Sequence, residues 1–308
     1  MAHSRCRIAA CATVFVGTLY PLALEAATGE KISVGAPFFN LTFAPLFIPL
    51  LIAVPFGPLL PWKRADLLGA SQRLTGAFVV ALVGIGACFA IEGRPVVSAF
   101  GIGLALFVMA GAITDIAERT GVLRVPVGTV LTRARGLPRS NWGTAFAHFG
   151  LGVVLLGIVG ETQWGAERIV TVKPSERVAL RHYDFTFDGM VPRGGPNYRD
   201  LVAHFTVRRD GVVIGTMEPA KRTFVSRNSS TTEAALMARG LSQLYVSLGD
   251  LGPDGSVVVR IYHKPMVLMI WLGAVVMVIG GAFSLSDRRL RVGAPKPARR
   301  AGAVVPAE

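Results

Sequence analysis

At 308 residues, 52% hydrophobic and 17% charged, with a positive mean hydropathy, the chain falls short of the roughly one-quarter charged content of soluble domains. The deficit is concentrated in long apolar runs, which excludes an ordinary soluble globule. A net charge of +13 would suit a nucleic-acid partner, but its distribution along the chain argues against one.

Runs of about 18 to 22 apolar residues match the length a helix needs to cross a hydrocarbon core, where backbone amides must bond within the segment. They lie near 8–24, 42–61, 75–91, 95–114, 144–160 and 266–285. The fold class expected is an α-helical polytopic membrane protein with about six transmembrane helices plus one small β-rich domain outside the cytoplasm. The first run follows Arg5 and Arg7 like a signal peptide. It is long for one, and Tyr20-Pro21 interrupts its end, so a retained helix is expected. The second run holds Pro45, Pro49, Pro55 and Pro58. Each proline removes a backbone donor, so a bent helix packed inside a bundle is expected there.

With six spans, both termini and alternate loops share one side. That side carries Arg5, Arg7, Lys63, Arg64, Arg73, Arg119, Arg124, Arg133, Arg135, Arg139 and the basic residues from Arg288 onward. The two short loops opposite carry only Lys31 and Arg94. Cationic loops stay on the cytoplasmic side, which places both termini and the loops 62–74 and 115–143 there. The same charges suit contact with anionic membrane lipid, and 115–143 reads as an interfacial segment.

From Glu161 to Lys264 the pattern changes. Strand-like runs appear at 168–172, 183–192, 200–209, 212–224, 243–249 and 256–262, with Arg209-Asp210-Gly211 as a turn between two of them. Thr231 to Gly240 reads as a short helix capped by Thr232 and ended by Gly240. A small antiparallel sheet or barrel results. The expected domains are a membrane domain over 1–160 with about five helices, the β-rich domain over 161–264, a last transmembrane helix over 265–286, and a cytoplasmic disordered tail over 287–308.

Cys6, Cys11 and Cys88 lie in or beside apolar runs and read as small buried residues, with no CxxC or CxxCH among them. Of five histidines only His148 falls within an expected span. An ionisable group at membrane depth is a functional candidate. Thr144, Ala145, Leu151 and Gly152 share its helix face. Small residues beside an imidazole leave room for a flat ligand edge and equally allow a close helix contact. A metal-bound imidazole needs a carbonyl or carboxylate for its other nitrogen. His182, His204 and His263 fall in or at the edge of the outer domain. Tyr262, His263 and Trp164 read as interface anchors, and Gly273, Gly280 and Gly281 as helix-packing positions. No catalytic residue stands out.

Several motifs in order carry a resemblance. They are GTLYPL at 17–22, ISVGAPFFN at 32–40, AHFGLG at 147–152, RGGPNY at 193–198, TTEAAL at 231–236, LYVSLGD at 244–250, RIYHKP at 260–265 and SLSDRR at 284–289. From about residue 11 to 292 the chain resembles the C-terminal half of the CcmF/NrfE family of cytochrome c-type biogenesis proteins. The resemblance implies a membrane haem lyase of the bacterial inner membrane, with residues 161–264 in the periplasm. It implies thioether formation between haem vinyl groups and the cysteines of apocytochrome c. It implies as partners the haem chaperone CcmE, CcmH-type apocytochrome-presenting proteins and the N-terminal half of the same lyase. It also implies a haem b, with the histidine of the AHxG motif, here His148, as one axial ligand to the haem iron.

The family's tryptophan-rich WWD segment, its flanking histidines and its other membrane histidine are absent from this sequence. The tryptophans are Trp62, Trp142, Trp164 and Trp271, no two adjacent. A split gene, a fragment and a late start all fit that absence. The second axial ligand is expected from the N-terminal half, with Met109 and Met269 as conceivable ligands within this chain. Two other readings stay open. One is a non-catalytic scaffold of the maturation complex. The other is a small-molecule permease subunit, for which only the proline-rich span speaks.

Overall fold

A computed structural model describes residues 2–30, 32, 35, 38, 41–60, 66–93, 96–226 and 229–287. Most of ISVGAPFFN, the loop cations Lys31, Lys63, Arg64 and Arg94, Trp62 and the tail from Arg288 lie outside the described residues.

The helices are α1 (Ala2–Thr28), α2 (Ala44–Ala53) followed by a 3₁₀ segment (Val54–Leu59), α3 (Leu67–Arg73), α4 (Thr75–Glu92), α5 (Val96–Thr120), α6 (Val127–Gly136), α7 (Arg139–Trp164) and α8 (Val267–Leu285). Four stretches, Cys11–Thr28, Val97–Thr120, Arg139–Trp164 and Val267–Leu285, are long and apolar enough to cross a membrane. Leu67–Arg73 and Thr75–Ile91 make a fifth if the pair, bent by 58°, counts as one span. Among the described residues, four or five of the six expected spans are therefore found. The run at 42–61 is the shortfall: Pro49 lies within α2, and Pro55 and Pro58 tighten the adjoining segment into 3₁₀ turns. Each proline removes one of the i→i−4 bonds that would have continued the helix. Cys88 is buried as expected, whereas Cys11 is exposed on α1.

The α7–α8 contact explains the glycines. A side chain on Gly143 would stand 2.5 Å from the Gly280 carbonyl oxygen, and one on Gly150 would stand 2.7 Å from that of Gly273. One on Gly157 would stand 2.8 Å from the Ile270 amide nitrogen. The seven-residue spacing keeps one face of α7 against α8, and bare backbones let the antiparallel helices touch. Gly281, expected to share this role, has nothing within 4 Å. Because backbone atoms cannot rotate aside, Gly150→Leu is expected to drive α7 from α8 and cost about 1–3 kcal/mol or more. Gly281→Ala should be near neutral. Thermal unfolding of both variants in detergent checks this.

Between α7 and α8 the described residues form ten strands in two sheets. Sheet order is β1 (Ala166–Val172), β10 (Val257–Lys264), β9 (Ser242–Leu251), β8 (Ala235–Arg239) in one. In the other it is β2 (Arg177–Leu180), β3 (Tyr183–Gly194), β4 (Tyr198–Arg209), β6 (Ala220–Phe224), β7 (Ser229–Glu233), with β5 (Val212–Met217) also paired to β4. The alternating residues of the two sheets meet in one core, in which Phe185, Phe187 and Phe205 of one sheet face Val246, Val259 and Ile261 of the other. The domain is therefore a sandwich rather than a single sheet or barrel.

The turn at Asp210-Gly211 forms as expected, with both residues at positive φ. The expected run 212–224 divides at Glu218-Pro219, and β2 was not foreseen. The helix expected over 231–240 is not there. Residues 229–233 pair with β6, and 235–239 pair with β9. Thr232 donates its hydroxyl to the Leu248 carbonyl instead of capping a helix, and Gly240 turns the chain at φ 60°. Ala, Leu and Met favour helix in isolation, but the ladders available on both sides outweigh that weak preference.

Candidate functional site

Helix α7 starts after Pro138, and Asp287 from the end of α8 accepts from the Ser140 amide at 3.1 Å. One face of α7 is spent on α8. The opposite face meets α5, where Gly152 approaches the Ala105 carbonyl and Met109 so closely that a side chain would stand 2.9 Å and 2.4 Å from them. His148 projects near this second face. It is half-buried, and among the described residues no hydrogen bond reaches its imidazole.

His148 lines a cavity of about 300 Å³ with Asn141 and Thr144 from its own helix, Asp115 and Arg119 from α5, and Ala53, Val54, Gly57 and Pro58 from α2 and its 3₁₀ extension. The prolines therefore have a consequence: they bend an apolar segment so that its small residues form a wall opposite the imidazole. Thr144 shares the cavity with His148, as its helix spacing suggested. Gly152 does not, because it is consumed by packing on α5. Both uses of small residues thus occur on one helix face.

The two charged residues of the site escaped sequence reading as site residues. Asp115 is only 2% exposed, accepts from Arg119 Nε at 2.7 Å, and leaves its second oxygen, Oδ2, without a hydrogen bond among the described residues. Arg119 also donates to the Pro58 carbonyl at 3.4 Å, tying α5 to the 3₁₀ segment. A carboxylate in the last turns of an apolar helix was the available signal. It was hidden because Asp115 directly follows the expected span end at 114.

The other candidates lie apart. His148 precedes the end of α7 at Trp164 by sixteen residues, about 24 Å at the rise of an α-helix. His263 pairs with Ala166 just beyond that end, so the two histidines cannot share one iron. Met269 sits in the first turn of α8, level with Gly157, and is about 14 Å along the axis from His148. Met109 packs against Gly152. The His263 ring lies 5.4 Å from that of Tyr183, and its Nδ1 is buried without a partner among the described residues. Burial, then the nearby Arg181, His182 and Arg209, hold its imidazole below the usual histidine pKa. His204 Nδ1 lies 3.5 Å from Glu218. On the outer face of the sandwich, Asp200 is buried beneath Arg222, which donates to both its oxygens at 2.9 Å and 3.0 Å. That fork holds the Asp200 carboxyl below its ordinary range.

Residues 163–265 match the CcmF C-terminal beta-sandwich family. Over 300 residues the chain is 58% identical to the cytochrome c-type biogenesis protein CycK of Bradyrhizobium diazoefficiens, covering 97% of this chain and 46% of that protein. It is 37% identical over 284 residues to the cytochrome c-type biogenesis protein CcmF of Pseudomonas aeruginosa, covering 92% and 42%. A solved cytochrome c haem lyase CcmF shares the fold with a TM-score of 0.69 at 23% identity, over 92% of this chain and 44% of that one. The chain thus spans less than half the length of these relatives. In sequence and in fold it corresponds to the C-terminal part of the CcmF/CycK/NrfE family of cytochrome c-type biogenesis proteins, β-sandwich included.

Proposed function

We propose that this chain acts in cytochrome c maturation as the C-terminal module of a membrane haem lyase, supplying one axial ligand, His148, to a haem b. The observation that carries this reading is a half-buried imidazole, on a helix long and apolar enough to cross a membrane, facing a cavity walled by small residues. The donor set fits one side of a haem: one imidazole, and no second histidine among the described lining residues. At about 300 Å³ the cavity is at the small end for a ligand site, as suits a group shared with another chain. When bound, haem b supplies one-electron chemistry. The residues of this chain hold and orient. His148 offers a ring nitrogen, Thr144 donates to the Ser140 carbonyl at 3.0 Å, and the Asp115–Arg119 pair makes the wall nearest the end of α5 polar.

The second axial ligand then comes from the N-terminal half of the lyase. The haem chaperone CcmE, CcmH-type proteins and apocytochrome c are the partners of the assembled enzyme, and the sandwich faces the apocytochrome side. Removing the gene and staining membranes for covalent haem tests the reading. Loss of the c-type cytochromes supports it, and a normal profile refutes it together with a scaffold role in maturation.

The side assignment does not need the span count. Arg119, Arg124, Arg133, Arg135 and Arg139 cluster between α5 and α7, at one end of α7, and the sandwich follows its other end. If those cations stay in the cytoplasm, residues 161–264 are periplasmic in the bacterial inner membrane. A reporter active only in the periplasm should work when fused after Gly215 and fail after Arg135. The reverse result would sink the assignment.

A further inference from the structure

The chain's connections fix which end of the sandwich faces the membrane. β1 begins at Ala166 just after α7 ends at Trp164, and β10 ends at Lys264 just before α8 begins at Val267. The β8–β9 turn lies at the same level, because the Leu268 amide in the first turn of α8 donates to the Leu241 carbonyl at 3.2 Å. Since α8 is long and apolar enough to cross a bilayer, Leu241 sits at the bilayer surface rather than above it. The other sheet reaches this level too. Tyr183 contacts His263 across the sandwich, and the Asp210 amide donates to the His182 carbonyl at 3.3 Å, joining the β4–β5 turn to the β2–β3 turn.

The side chains at this end suit a lipid surface better than water. Leu241 occupies a tight turn yet is 50% exposed, and Val212, directly after the Asp210-Gly211 turn, is 68% exposed. Turns facing water are ordinarily polar. Cations surround these apolar tips. Arg181 and Arg209 lie in the turns beside His263, and Arg239 ends β8, donating to the Ile214 carbonyl. Lys264 Nζ lies 5.2 Å from the Tyr262 ring and 5.6 Å from the Tyr245 ring, which themselves meet edge-on. Tyrosines with Lys or Arg beside aliphatic tips are the residue set of the headgroup region, whereas the cores of protein interfaces are depleted in charge.

We propose that this end of the sandwich is a lipid-binding rim. Leu241 and Val212 enter the bilayer interface, and Arg181, Arg209, Arg239 and Lys264 hold the phosphates of anionic headgroups. The rim fixes the tilt of the sandwich over the membrane independently of any haem chemistry.

The test uses the full chain with Cys6, Cys11 and Cys88 replaced by serine, in nanodiscs of phosphatidylcholine with phosphatidylglycerol. A nitroxide is placed at Leu241→Cys, Val212→Cys or, at the opposite end of the sandwich, Asp254→Cys. Power saturation should show Leu241→Cys and Val212→Cys more accessible to oxygen than to a soluble nickel chelate, and Asp254→Cys the reverse. Changing to phosphatidylcholine alone, or adding Arg181→Gln, Arg209→Gln and Arg239→Gln together, should raise nickel access at both rim sites severalfold. Free nickel access at both rim sites in the anionic discs would overturn the proposal. Insertion indifferent to both the lipid change and the triple variant would overturn the headgroup recognition. Protection that depends on a co-purifying protein, and vanishes when it is stripped, would overturn it in favour of a protein interface.

Discussion

His148→Ala is expected to remove the haem b of the assembled lyase. When this chain is purified with an N-terminal partner that brings a second membrane histidine, the visible spectrum should be that of a bis-histidine low-spin haem. With His148→Ala the haem content should fall by at least about tenfold, since losing even an outer-shell partner of a metal ligand typically costs that much. The chain alone, given ferric haem in detergent, should bind it poorly or with mixed ligation. His263 stands about 24 Å up the axis from His148 and Met269 about 14 Å, so neither reaches the same iron. A stable bis-histidine spectrum from the chain alone, unchanged by His148→Ala, would refute both the ligand and the idea of a shared site. A complex that matures cytochromes while free of haem b would favour the scaffold reading.

The second large effect belongs to the sandwich. Phe205 is fully buried, and its ring stacks on that of Phe187 at 5.2 Å between centroids. Phe205→Ala is expected to cost about 3–5 kcal/mol, the lost transfer energy plus that of the cavity left behind. That is a large fraction of the stability of any single domain. In the full chain in detergent, the amides of β3, β4 and β10 should lose protection from hydrogen exchange. Those of α7 and α8 should keep theirs, because the packing of the two helices on each other rests on their own glycine contacts. Equal loss of protection in helices and strands would show that the two regions are one cooperative unit. Unchanged protection throughout would show that the aromatic core contributes little.

Much of this was legible in the sequence because the controlling physics is local. Crossing a bilayer requires a minimum run of apolar residues, so the runs near 95–114, 144–160 and 266–285 could be picked out from hydropathy, although the first helix runs on to Thr120 and the second begins at Arg139. Alternation marked β3, β4, β9 and β10, since a strand with one face in a core must alternate. Asp210-Gly211 announced a turn through the positive φ that glycine accepts readily and aspartate tolerates. His148 stood out because an ionisable group is costly in an apolar span.

What the sequence left open depended on partners distant along the chain. Residues 229–239 contain good helix formers and became strands because β6 and β9 offered ladders. The prolines of 42–61 announced a bend, but only packing showed that the bent segment ends short of a span and faces His148. Asp115 and Arg119 looked like the border of a helix until α5 lay against α7 and made them the floor of the cavity. Gly273 and Gly281 were alike as sequence. Only the antiparallel register of α8 on α7 makes the first a point where two backbones touch and leaves the second facing open space. Hydropathy reports how one segment meets its solvent, and cavities, registers and rims arise only from how segments meet each other.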